Sequence, residues 1–120
     1  MEIAICVCNH RDPAAVIDKD LASALLANNL GADLLIISTA VEKVALNFGT
    51  PEETLVDHLT LAEAKAHLAE GVHFAAGSMA PKIQAVVNYL SNGGTAAIVT
   101  NPENVARALH GETGTVFTLD

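Results

Sequence analysis

Short β-branched runs separated by stretches of helical period are the feature that most limits what this chain can become. Residues 3–8 (IAICVC), 34–39 (LLIIST), 95–100 (TAAIVT) and 114–119 (GTVFTL) are too short and too β-branched for helices, and predict buried strands. Between them the period changes. From Asp18 onward Leu21, Leu25, Leu26 and Leu30 recur at helical spacing, with Asp20 placed to cap the start and Gly31 to stop it. Thr60 followed by Glu63 is a capping-box pair, opening a helix that runs to about Glu70-Gly71. Pro81 suits a first helical position, and Ile83, Val86, Val87 and Leu90 supply the apolar stripe of a helix ending at Asn92-Gly93-Gly94. Pro102 starts another, with Val105, Ala106 and Leu109, stopped by Gly111. Residues 44–48 predict a short extension before the turn Gly49-Thr50-Pro51. Such alternation specifies an α/β fold: a mainly parallel sheet with helices on both faces, in a single domain over residues 1–120.

Composition agrees with a packed core. Of 120 residues 51% are hydrophobic, but only 3% are aromatic, so the core must be built from Ala, Val, Leu and Ile. Lys and Arg number 6 against 14 Asp and Glu, a net charge of -8, and no stretch clusters enough cations for nucleic acid or an anionic membrane. No apolar stretch approaches the ~20 residues needed to span a bilayer. Nothing resembles a signal peptide: Glu2 lies among the first residues, and the apolar run stops at Asn9-His10-Arg11-Asp12. Cys6 and Cys8 cannot pair with each other in an ordinary disulfide. A soluble protein of a reducing cytoplasm is the expectation.

In parallel sheets ligands gather at the carboxyl ends of strands and at helix N-termini. Three segments fall there: Asp18-Lys19-Asp20, Thr39 to Phe48, and Gly77 to Lys82. A lysine between two carboxylates at a helix start can meet a phosphate while an acid orients it; otherwise Asp20 is a simple N-cap and Lys19 is solvated. Gly77-Ser78-Met79-Ala80-Pro81-Lys82 is a small-residue loop leading into a helix, with a cation in the first turn. That placement opposes the helix dipole unless an anion is bound, the alternative being a surface lysine with a mild penalty. The loop lacks Walker A spacing. Cys6, Cys8 and His10 would share one face of a continued strand and can bind zinc, although buried thiols are commoner as small hydrophobes. His58, His67, His73 and His110 fall in no ligand or triad spacing, and no metal site is expected. Neither G-x-S-x-G nor G-x-G-x-x-G occurs.

Read together, AVIDKDLASALLA (15–27), ADLLIISTAVEKVALNFGTPEE (32–53), LTLAEAKAHLAEG (59–71), FAAGSMAPKIQAVVNYLSNGG (74–94) and GETGTVF (111–117) resemble the carboxy-terminal, nucleotide-binding part of carbamate kinase, of the amino-acid kinase family. The resemblance implies phosphoryl transfer between ATP and carbamate, in arginine breakdown, with Mg²⁺ on the nucleotide phosphates. Lys19 and Lys82 then look like cations facing the transferred phosphate, and Asp20 like the acid that organises them. Asp18, Thr39, Ala40, Val41, Val44, Asn47 and Phe48 look like the nucleotide side of the site, and Gly77, Ser78 and Met79 like the loop near the terminal phosphates. This chain departs from the family where a glycine-rich loop belongs, having Cys8-Asn9-His10-Arg11-Asp12-Pro13 instead. The resemblance also implies that the amino-terminal lobe, which supplies the carbamate pocket in the family, is expected to be missing here.

The resemblance therefore implies an ATP/ADP-binding lobe, inactive alone. Half of a split kinase working with a partner chain, and a scaffold that has lost its ligand, are the other readings. A half-domain exposes a sheet edge, which favours a homo-oligomer or a complementary amino-terminal lobe as partner.

Overall fold

A computed structural model describes residues 3–7, 13–47, 49–71, 73–74 and 79–120. Along the chain run β1 (Ile3–Val7), α1 (Pro13–Leu30), β2 (Leu34–Ser38), β3 (Ala45–Leu46), β4 (Thr54–Leu55), β5 (His58–Thr60), α2 (Leu61–Glu70), α3 (Met79–Ser91) and β6 (Ala96–Thr100). A 3₁₀ turn over Pro102–Asn104, α4 (Val105–Leu109) and β7 (Thr115–Thr118) follow. Five strands form one sheet in the order β1-β2-β6-β7-β5. All neighbours are parallel except β6 and β7, so the sheet is mixed and mostly parallel, as the alternation of elements predicts. The expected extension over 44–48 is the two-residue β3, paired antiparallel with β4; its last residue, Phe48, lies outside the described residues.

The period of two along β2 distributes its side chains. Leu35 and Ile37 enter a large core with Ala97, Val99 and Phe117 from the sheet, Ala24 and Ala27 from α1, Ala64 from α2, and Ile83, Val86, Tyr89 and Leu90 from α3. Ile36 points to the other face, joining Ile98 and the α4 residue Ala108. Helices therefore cover both faces. Full burial of a Leu or Ile side chain contributes roughly 1.5–3 kcal/mol, so the larger core carries most of the stability.

The helix caps behave locally as the sequence dictates. Thr60 Oγ1 accepts the Glu63 N–H at 3.2 Å, Glu63 Oε1 accepts the Thr60 N–H at 3.0 Å, and Gly71 takes φ 72° at the far end. The backbone hydrogen bond from Thr60 is the main reason that the Glu63 carboxyl is held below the usual carboxylate range.

Two expectations need correction. The first long helix begins at Pro13, a residue whose fixed φ suits a helix start, so Asp20 is interior and is no N-cap. Leu21, Leu25, Leu26 and Leu30 face outward, and α1 meets the core through Ala24 and Ala27. α1 thus packs through small side chains and leaves its large apolar ones outside. The helix expected from Pro102 is divided into a 3₁₀ turn and the short α4.

Candidate functional site

α1 follows β1, and α3 runs back into β6, so the N-termini of both helices lie at the carboxyl edge of the parallel strands. This is where α/β sheets bind ligands. Lys82 in the first turn of α3 donates to Asp20 Oδ2 of α1 at 3.1 Å, and both side chains are buried, at 1% and 0% exposed. Lys82 is therefore no surface lysine, and Asp20 is its buried partner. The arrangement is costly to hold. A buried ammonium loses its hydration, and the positive end of the α3 dipole adds to its charge. The pair is neutral overall; what it fixes is an ammonium at a helix N-terminus, an end where the dipole favours an oxyanion, and it offers no nucleophile.

The segment leaving β2 is anchored at several points. The Thr39 N–H donates to the Thr100 carbonyl at 2.8 Å, extending the ladder past Ser38. Ala40 and Val41 turn outward. Val44 returns to the core: its N–H donates to Thr115 Oγ1 at 2.8 Å, and its carbonyl accepts the Val56 N–H at 2.9 Å. Asn47 adopts φ 55°, and its N–H donates to His73 Nδ1 at 3.2 Å. Beneath this edge, Thr100 Oγ1 is buried without a hydrogen-bond partner among the described residues.

Of the other expected site residues, Met79 opens α3 and packs partly against the core. Asp18 and Lys19 lie on α1, one turn or less from Asp20, with their side chains outside the described part. Phe48, Gly77 and Ser78 lie outside the described residues, as do Cys8 and His10 of the alternative zinc reading. A polar hollow of about 240 Å³, lined in part by Asn28, Asp33, Asn92 and Thr95, sits at the opposite, amino-terminal end of the strands. No helix among the described residues is long and apolar enough to cross a membrane.

The profile of the amino acid kinase family matches residues 3–101. The chain belongs to that family. Among family relatives, the carbamate kinase-like protein YahI of Escherichia coli (strain K12) is 50% identical over 107 residues, 89% of this chain and 34% of that protein. A carbamate kinase of Thermoplasma volcanium is 51% identical over 103 residues, 86% of this chain and 33% of that protein. The solved structure of carbamate kinase from Giardia lamblia bound to AMP-PNP is 39% identical with a TM-score of 0.81, covering 86% of this chain and 32% of that one. The chain spans about a third of the length of the curated relatives it matches.

Sequence reasoning missed one group. His67, Glu70 and His73 each bring a potential ligand atom to within 4.8 Å of the others, so two of the histidines dismissed on spacing do converge. His67 and Glu70, three residues apart, share a helix face, and that signal was available. His73 was not readable in the same way, because Gly71 reverses the chain between it and the helix.

Proposed function

We propose that this chain is the nucleotide-binding part of a carbamate kinase-like phosphotransferase, matching the carboxy-terminal portion of such an enzyme. The buried Asp20–Lys82 pair at the carboxyl edge carries the reading. Phosphoryl transfer needs positioning and neutralisation of spreading negative charge more than it needs a nucleophile. A lysine held in place by an acid, at a helix N-terminus, meets that need. In this proposal Lys82, with Lys19 beside Asp20, faces the transferred phosphate, and Asp20 fixes the ammonium so that little reorganisation accompanies reaction. Thr39, Ala40, Val41 and Asn47 flank the adenosine, with Val44 setting the path of the segment from within the core. Asp18, Phe48, Gly77, Ser78 and Met79 complete the nucleotide side.

Magnesium would arrive as the nucleotide complex, held by phosphate oxygens and neutralising their charge. The described cluster of potential metal ligands, His67, Glu70 and His73, does not fit it, since magnesium prefers oxygen ligands. The carbamate pocket belongs, in this reading, to the part of the relatives that the chain does not match. Orientation of both substrates can supply roughly 7–11 kcal/mol of a barrier, so nucleotide binding without independent turnover is expected. A complementary lobe or a second copy would complete the site.

Titration calorimetry with Mg-ADP tests the proposal. Binding is expected, weakened in Lys82→Ala by about 1–3 kcal/mol. No heat at millimolar nucleotide would sink the proposal and leave a scaffold. Turnover of ADP and carbamoyl phosphate by the isolated chain would refute the requirement for a second part.

A further inference from the structure

We propose that His67, Glu70 and His73 form a binding site for a divalent metal of the zinc class. His67 and Glu70 stand one turn apart at the C-terminal end of α2, and Gly71 at φ 72° turns the chain back so that His73 crosses the same spot. The imidazole rings meet edge to face, with centroids 4.6 Å apart and planes at 76°, an arrangement that brings ring nitrogens together without stacking. His73 Nε2 contacts Glu70 Oε2. Two observations point to a missing ligand. His67 Nδ1 is buried and lacks a hydrogen-bond partner among the described residues, an unfavourable state that a metal would relieve. The carboxylate also lies at a helix C-terminus, where the dipole favours a cation.

Two imidazoles and one carboxylate are the donor set of three-ligand zinc sites, which keep a fourth position open. Tetrahedral zinc at its usual bond lengths sets ligand atoms about 3.4 Å apart, so a set within 4.8 Å must adjust by roughly an ångström, the His73–Glu70 contact opening while His67 draws in. Glu70, with a side chain 53% exposed, is free to make that adjustment and leaves the site open to solvent. Magnesium and calcium would be rejected, since both prefer oxygen donors.

The site has a reach beyond itself. His73 Nδ1 accepts the Asn47 N–H, which puts the ring proton of the metal-free form on Nε2, against Glu70. A metal at Nε2 takes that position and sends the proton to Nδ1, where it opposes the Asn47 donor. Metal binding and the Asn47 anchor therefore compete. Resting on the nucleotide reading above, zinc should weaken Mg-ADP binding.

The test uses the full chain and the metal alone. Zinc uptake is followed by competition with a chromophoric chelator, and the ligand set by the visible spectrum of the Co²⁺ form. One equivalent with a nitrogen and oxygen spectrum is expected, weakened at least about tenfold in both His67→Gln and Glu70→Gln. Glu70→Gln changes a half-exposed side chain, so the fold is retained. Cys6→Ser and Cys8→Ser should leave uptake unchanged. The proposal is overturned by no uptake at micromolar zinc, by unchanged uptake in the His67 and Glu70 variants, by sulfur-to-cobalt bands lost in the cysteine variants, or by equal competition from magnesium. Loss of the zinc effect on Mg-ADP alone would count against the coupling and spare the metal site.

Discussion

Removing one member of the Asp20–Lys82 pair should destabilise the chain far more than removing both. At 3.1 Å and an effective dielectric near ~20, the attraction is about 5 kcal/mol. Stripping water from each ion costs several kcal/mol, so the intact pair is close to break-even. Lys82→Met keeps the desolvation of Asp20 and discards its attraction to the ammonium. The expected loss is about 3–5 kcal/mol, a fall in Tm of roughly 10–20 °C for a chain of this size. The double variant Asp20→Leu/Lys82→Met removes both charges and should fall within about 1 kcal/mol of the parent, or exceed it. Urea unfolding followed by circular dichroism reads these differences as shifts in midpoint at constant slope. A Lys82→Met cost below about 1 kcal/mol would mean that the pair behaves as a solvated surface pair, refuting the burial argument. A double variant that loses the sum of the two singles would refute the desolvation argument. The same double variant separates stability from function: it should remain folded and fail to bind Mg-ADP.

Three further outcomes follow from the helix ends. Thr60→Ala should cost about 1 kcal/mol by opening the capping box. Because the folded Glu63 carboxyl is held low by Thr60, its contribution is present above the ordinary carboxylate range and is lost as pH falls through the folded pKa; Glu63→Ala should flatten that acid-side slope in a stability–pH series. At the opposite end of α3, a Cβ on Gly94 would lie 2.4 Å from the Tyr89 ring, whose hydroxyl donates to the Ala32 carbonyl at 2.5 Å. Gly94→Ala should therefore displace the ring and cost roughly 1–3 kcal/mol, measurable by thermal unfolding, with a parent-like Tm as the contrary result.

The fold was legible wherever the deciding contact is local. Thr60, Glu63 and Gly71 act on partners within a few residues, and their helix starts and stops where the sequence places it. The strands were legible because a fully buried strand needs a short β-branched run, and β2 and β6 are such runs. Long-range packing was not legible in α1. Its leucines recur at helical spacing, yet Ala24 and Ala27 meet the core while the leucines face outward, a choice that spacing alone does not decide.

The candidate site shows the same division more sharply. Lys82 in a first helical turn was readable as an anomaly, because a cation there opposes the dipole. What resolves the anomaly is Asp20, 62 residues away in sequence, and no period or cap connects the two. A lysine that is 1% exposed and paired to a wholly buried aspartate is held at an energetic cost that apolar residues of similar size would avoid. Stability therefore does not account for the pair, whereas the proposed phosphate-facing role, which needs a fixed positive charge at the carboxyl edge, would. If the double apolar variant proves as stable as expected yet binds nucleotide with parent affinity, that inference from cost to function fails, and the phosphate-facing role passes to Lys19.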